Sequence, residues 1–335
     1  MNDFEKIVEE TIKENKLIEK GDKIVVAVSG GPDSISLLNI LNKIRKNCQI
    51  APSPLAIVVA HVNHMIRKEA SLDEEYVRNF CNKIGVEFFS KSIDVQDLAN
   101  NNKMSTEEAG RFARYDFFNE VLKKTNSNKI AIAHNKNDRV ETVIMNILRG
   151  TGVSGLKGIE VKKDNKYIRP LINCDRNIIE KYCEEENLDP RIDKTNFEND
   201  YTRNKIRNVV IPYIKEEFNP NITQTITRLA NLVKDEDEYI KKEVKKAYKN
   251  LLIEENEKEI VIDLKKFNNE EKLIKSRLIL YIITIIFGSS KGIEKVHVED
   301  VIKMCEKNIG NKFLTPNKKI KILVKNHKIF FTSQM

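Results

Sequence analysis

No two of the five cysteines form a C-x-x-C pair. Cys48, Cys81, Cys174, Cys183 and Cys305 are odd in number and widely spaced. That argues against a zinc ribbon or an iron–sulfur cluster and for reduced thiols in a cytosolic protein. Long apolar runs are also missing. The longest, LILYIITIIF at 278–287, is flanked by charge and too short for a bilayer, so it reads as a buried helix and no membrane is expected as a partner. The N-terminal stretch MNDFEKIVEETIKENKLIEKGDK mixes acids and bases along an amphipathic helix and is no signal peptide. Internal repeats and low-complexity tracts are absent. Acidic residues disappear after Glu306, while Lys307, Lys312, Lys318, Lys319, Lys321, Lys325 and Lys328 remain. Such a tail is either a basic face for phosphates or a lysine-guarded sheet edge.

What is present describes an ordered globular chain: 40% hydrophobic and 32% charged residues, with 12 Gly and 8 Pro. Its 335 residues exceed what one core usually serves. The net charge of +8 permits a polyanionic partner without proving one. Strand-like runs at 23–28, 55–61, 86–91 and 129–134 alternate with helical patterns at 33–46, 69–84, 105–125 and 138–149. The strands are continuously apolar, as in a parallel sheet covered on both faces. Ser105 with Glu108 three residues on forms a capping-box pattern. The expected fold is α/β, a doubly wound parallel sheet followed by a smaller α+β domain. The rhythm changes after 170: helices at 176–187 and 203–217, the latter with Pro212 as a kink, precede the break NPNIT. That break sets an expected boundary between domains 1–217 and 218–335. Beyond it a long charged helix reaches about 250, followed by a strand at 259–264, helices at 270–287 and 297–306, and short strands.

Within this frame, KIVVAVSGGPDSISLL at 23–38 breaks from strand to helix through two glycines, a proline and an aspartate. A turn of this kind offers backbone N–H groups at the positive end of a helix dipole. Gly30 and Gly31 allow close approach and positive φ, and Pro32 spends an N–H the first turn can spare. Ser29 and Ser34 add hydroxyls. The Walker pattern is absent, so this is no ordinary P-loop. GTGVSG at 150–155 matches G-x-G-x-x-G but follows a helix, which makes it a glycine C-cap and loop.

SGGPDS after a strand resembles the pyrophosphate loop of the N-type ATP pyrophosphatases, S-G-G-x-D-S, which cleave ATP to AMP and pyrophosphate. The resemblance implies that Ser29, Gly30, Gly31, Pro32, Asp33 and Ser34 hold the phosphates. An acid facing an anion calls for a bridging Mg²⁺ on Asp33. HVNHMIRKEASLDE (61–74), STEEAGRFARYDFF (105–118), AHNKNDRVETVIMNILRGTG (133–152), YIRPL (167–171) and DKTNFENDYTRNKIR (193–207) follow in the order and spacing of the tRNA(Ile)-lysidine synthetases. The resemblance covers residues 23 to about 240 well and the remainder weakly.

That family implies an ATP-dependent ligase joining free L-lysine to C2 of the wobble cytidine of an isoleucine tRNA with a CAU anticodon. It passes through an adenylated tRNA and releases AMP and pyrophosphate in the cytoplasm; a homodimer is compatible with it. Carried over by motif, Arg111 contacts the nucleotide and His134 faces the phosphates or the adenylated intermediate. Asp138 and Glu141 hold the lysine, with Asn196 and Arg203 nearby, and Arg207 lies on the phosphate side. The residues themselves support part of this. Asp138 and Glu141 share one face of a helix start, beside a strand's carboxyl end. Two carboxylates favour a charged amine, whereas attack needs a neutral one, which costs about 4.6 kcal/mol at pH 7. A carboxylate acting as base, or Arg203 close by, offsets that cost. His61 and His64, at a strand end, read as nucleotide contacts or packing more readily than as a metal pair.

Three positions depart from the family pattern H-H-x-D-D-Q-x-E-T: Asn135, Asn137 and Arg139. The missing carboxylate at Asn137 puts the charge balance of the lysine pocket or Mg²⁺ site in question. The chain resembles the family's short form, without an extra C-terminal domain. Two other readings stand beside the ligase: a tRNA thiolase of the same superfamily, whose cluster-bearing types need cysteine pairs lacking here, and an ATP-binding sensor without turnover.

Overall fold

The computed structural model describes residues 2–47, 55–65, 70–191, 201–290, 292–307, 312–317 and 320–334. The chain divides into two compact units, Met1–Asn231 and Leu232–Met335.

The first unit is built on a six-stranded sheet of order β3-β2-β1-β4-β6-β5. Its strands are β1 (Lys23–Ala27), β2 (Ala56–Asn63), β3 (Glu87–Ser92), β4 (Lys129–Ala131), β5 (Lys162–Lys163) and β6 (Tyr167–Ile168). All pairings are parallel except β5 with β6. The helices are α1 (Asp3–Glu14), α2 (Pro32–Lys46), α3 (Ala70–Ile84), α4 (Val95–Asn102), α5 (Thr106–Lys124), α6 (Lys136–Leu148), α7 (Arg176–Glu185), α8 (Thr202–Lys205) and α9 (Ile211–Glu217). Strand side chains alternate between two helical layers. Ile24 and Val26 of β1 join the core under α1, α2 and α7, whereas Val25 and Ala27 face Phe117, Phe118 and Val121 of α5. This explains why β1 and the centre of β2 read as unbroken apolar runs. The predicted doubly wound α/β fold is present. In it β1 lies between β2 and β4, so the loops leaving β1 and β4 meet at the sheet's switch point, where ligands of such folds bind.

Details differ from the sequence reading. Strand β4 ends at Ala131 rather than 134, and α4, β5 and β6 were not anticipated. Ser105 does cap α5 with a complete capping box. The expected kink at Pro212 takes the form of a π-helical turn, Ile206–Val210, linking α8 to α9. A wide turn suits a proline that has no N–H to give and a ring that needs room.

The division between units falls inside α10 (Ile222–Leu251), not at the expected 217–218. Ile226 and Ala230 of its first turns belong to the core formed by Val140, Val143, Ile206 and Ile211, which draws that part of the helix into the first unit.

The second unit holds β7 (Leu252–Glu255), β8 (Glu259–Asp263), α11 (Leu264–Asn269), α12 (Lys272–Phe287), α13 (Lys295–Glu306), β9 (Lys312–Asn317), β10 (Ile320–Lys325) and β11 (Lys328–Ser333). The strands form an antiparallel sheet, β7-β8-β11-β10-β9. α12, the longest apolar run of the sequence, packs Leu278, Ile279, Ile282 and Ile283 against the sheet residues Ile260, Ile322 and Phe331. Among the described residues no helix is long and apolar enough to cross a membrane. Along β10, Ile320, Ile322 and Val324 point into the core, and Lys321 and Lys325 alternate with them. Lys321 Nζ sits 4.7 Å over the Phe313 ring.

Cys81, Cys174, Cys183 and Cys305 are free and buried. Burial pushes the thiols of Cys81, Cys174 and Cys305 up to about 12 and raises that of Cys183.

Candidate functional site

The turn after β1 organises itself before any ligand arrives. Ser34 Oγ accepts from the backbone N–H of Ser29 and Gly30, at 3.1 and 3.2 Å, and donates to the Gly31 carbonyl at 3.0 Å. Ser34 therefore shapes the loop from within. Gly30 has φ +99°, a conformation that L side chains rarely adopt. Gly31 is the N-cap of α2 and supplies no side-chain cap, and Pro32 opens the helix. The first-turn N–H groups of α2 are thus left to an anion.

Asp33 stands at that helix start, half-buried. Its Oδ1 accepts from Asn135 Nδ2 at 2.9 Å. Burial, with Asp138 adding to it, pushes the Asp33 carboxyl up to about 6 despite the hydrogen bond from Asn135. Burial and the like charge of Asp138 outweigh the positive charges of Arg176 and Arg207. Among the described residues no group of three or more His, Cys, Asp or Glu is arranged to hold a metal ion. Mg²⁺ needs no such cage: one carboxylate with substrate phosphates and water is its usual company, and Asp33 fits that role.

The loop after β4 brings His134 and Asn135 to the same end of the sheet. Asn135 caps α6 reciprocally: its Oδ1 accepts from Asp138 N, and Asp138 Oδ2 accepts from Asn135 N, both at 3.0 Å. Asn135 thus ties the carboxylate of the first loop to the first acid of α6. Asp138 Oδ1 accepts from Arg203 Nη2 at 3.0 Å and Arg207 Nη2 at 3.1 Å. Glu141, buried, accepts from Arg203 Nε at 2.7 Å and Arg207 Nε at 2.6 Å. Arg203 in α8 and Arg207 in the π turn are four residues apart, which presents both guanidinium groups to the acids of α6. Two carboxylates and two guanidinium groups form a closed, charge-balanced cluster.

His134 Nδ1 accepts from Arg169 Nε at 3.1 Å. Burial, then the nearby charges of Arg169, Arg203, Arg111 and Arg114, hold its imidazole well below the usual histidine range. Arg111 is exposed; it donates to Tyr115 Oη at 3.3 Å, and its guanidinium lies 4.8 Å over the Tyr115 ring. His61 is buried with Nδ1 2.9 Å from the Val28 carbonyl, and burial lowers its pKa, so it packs at the end of β1 as a neutral ring.

The structure therefore gathers Asp33, Asp138, Glu141, Arg203 and Arg207 into one connected set, with His134 and Arg111 on its cationic side. Arg207, expected toward the phosphates, pairs with the acids of α6, although its charge also reaches Asp33. Asn196 lies outside the described residues. The three departures from the family pattern have partners of their own. Asn135 holds Asp33; Asn137 Oδ1 accepts from Arg176 N at 3.2 Å at the start of α7; Arg139 donates to the Lys157 carbonyl at 3.1 Å and to Asn231 Oδ1 at 2.7 Å. Sequence reasoning missed Arg169 and the linking role of Asn135. The first lay inside YIRPL, and the second was visible only as a lost histidine.

A family model described as "PP-loop domain" matches residues 2–214. The chain is 47% identical over 309 residues to the tRNA(Ile)-lysidine synthase of Clostridium acetobutylicum, covering 92% of this chain and 65% of that protein. It is 42% identical over 332 residues to the enzyme of the same name from Clostridioides difficile, covering 99% of this chain and 71% of that protein. With that of Petrotoga mobilis it shares 40% over 242 residues, or 72% and 76% of the two chains. The chain thus spans about two thirds of the length of these Clostridium and Clostridioides relatives. Among solved structures, the U34-tRNA thiolase NcsA from Methanococcus maripaludis superposes with a TM-score of 0.55 at 19% identity, over 69% of this chain and 79% of that one. That likeness concerns the fold.

Proposed function

The chain belongs to the tRNA(Ile)-lysidine synthase family of PP-loop proteins, and from that membership we propose that it is an ATP-dependent ligase joining lysine to C2 of the wobble cytidine of an isoleucine tRNA with a CAU anticodon. The cytidine O2 attacks the α-phosphorus of ATP, the α–β P–O bond breaks, and pyrophosphate leaves. The lysine amine then attacks C2, the C2–O bond to the adenylyl group breaks, AMP leaves, and the amine gives up a proton.

The observation that carries this reading is the continuous hydrogen-bonded path from Asp33 through Asn135 to Asp138 and the Arg203–Arg207–Glu141 cluster. It joins a phosphate loop to a carboxylate pair, the two sites a ligase of ATP and an amine needs. Asp33 would hold Mg²⁺, which neutralises phosphate charge when bound. Asp138 and Glu141 would orient the lysine. Their pairing with Arg203 and Arg207 answers the problem of the charged amine. A neutral cluster does not favour ammonium over amine as two bare carboxylates would, so the amine's deprotonation is not opposed. In this reading Arg111 and His134 would serve the adenylyl phosphate.

The test is AMP release from ATP, with lysine and the CAU-anticodon isoleucine tRNA each supplied or withheld and Asp33→Ala as control. Release that requires both co-substrates and vanishes in D33A supports the ligase. Release that ignores lysine, or sulfur in the tRNA product, overturns it.

A further inference from the structure

Arg169 is almost fully buried at the carboxyl end of β6, beside the end of β4, its parallel neighbour, from which His134 follows. It is clamped on three sides. Its backbone N–H donates to the Val161 carbonyl at 2.9 Å, its Nη1 to the Glu160 carbonyl at 2.6 Å, and its Nε to His134 Nδ1 at 3.1 Å. Tyr115, whose ring packs 5.3 Å from that of Tyr167, lies close enough to act on its charge. A guanidinium is a donor at every nitrogen and never an acceptor. The imidazole nitrogen it meets must therefore carry a lone pair, and a neutral imidazole has only one proton to place.

We propose that Arg169 is a positioning residue which fixes His134 as a neutral imidazole with its proton on Nε2, so that His134 offers a hydrogen-bond donor to the adenylyl phosphate oxygens during transfer. The role rests on the ligase reading above and deepens it. A ring with the opposite tautomer would present a lone pair to phosphate oxygens, which repels where stabilisation is needed. Burial above all, then the surrounding cations Arg169, Arg203, Arg111 and Arg114, disfavour a second proton, so the donor persists as a neutral N–H. Arg169 itself is held by backbone carbonyl and amide bonds outside the histidine loop, so ring and tautomer are set before the nucleotide binds.

The direct test is the imidazole ¹⁵N spectrum of the full-length chain at pH 7, with the His134 signals identified by their loss in His134→Ala among five histidines. Nδ1 is expected unprotonated and Nε2 protonated; a proton on Nδ1 overturns the proposal. In Arg169→Met the two tautomers should mix, and kcat for lysine-dependent AMP release should fall about 10–100-fold, with KM for ATP changed less than about 3-fold. H134A/R169M should be no slower than H134A alone, because the arginine acts only through the ring. A double variant slower than H134A by the full R169M factor overturns the proposal in favour of a separate structural role. If the wild-type chain shows no lysine-dependent release, the ligase reading fails, while the wild-type spectrum still decides whether Arg169 sets the tautomer.

Discussion

At the scale of single residues the site holds ionisable groups in environments that burial makes unfavourable for their charge. Asp33 is the clearest case. Its carboxyl is raised to about 6 in the folded chain from an ordinary value near 4, chiefly by burial. The folded state thus binds the proton more tightly, and this contribution favours folding below about pH 4 and is lost as pH rises through about 6. Asp33→Asn should stabilise the ligand-free chain by up to about 3 kcal/mol at pH 8, the gain fading to nothing below about pH 4, while nucleotide turnover is abolished. Urea titrations across that pH range check the first half. Glu141→Gln should act in the opposite sense. It leaves Arg203 and Arg207 facing Asp138 alone, but they keep 28% and 24% of their side chains in solvent. The loss is therefore discounted from that of a fully buried pair to about 1–3 kcal/mol, with lysine-dependent turnover lost. Gly30→Ala meets nothing closer than 3.5 Å, so its cost is backbone strain at φ +99°, about 1–2 kcal/mol in the same titration.

At the scale of elements, strength of local signal decides what could be read in advance. The capping box at the start of α5 was legible because Ser105 and Glu108 carry the whole interaction between them. Ser105→Ala should cost about 1 kcal/mol of thermal or chemical stability without touching turnover. The turn before α2 was legible for a similar reason: glycine, proline and aspartate each have one physical use there. The paired acids of α6 were visible from their spacing, but not the guanidinium groups that neutralise them, which come from more than sixty positions later. β5 and β6 escaped because two residues of strand have no period to detect. Arg169 escaped with them, since only the pairing of β6 with β4 sets it beside His134. The division at Asn231–Leu232 differs from the expected boundary after 217 because a helix carries no mark where its apolar residues change core. Ile226 and Ala230 serve one core and Val244 and Tyr248 another along the same helix.

At the scale of the whole molecule, the charge of +8 is the quantity a tRNA would sense. On the proposed function, affinity for tRNA should fall linearly in log–log terms with salt. Replacing Lys321, Lys325 and Lys328 together with alanine should reduce that slope by about 0.7–0.9 for each phosphate no longer neutralised, measured by filter binding over a salt series. An unchanged slope would mark these lysines as edge protection only. The two units also differ in a way that chemistry can follow. Cys81, Cys174 and Cys183 lie in the first and Cys305 in the second, each sealed from solvent and each thiol raised. A thiolate-seeking reagent can reach them only when the surrounding core opens. With Cys48 replaced by serine, the chain becomes its own pair of clocks: modification at Cys305 times the breathing of one half, modification at the other three times that of its neighbour, and nucleotide should slow only the latter.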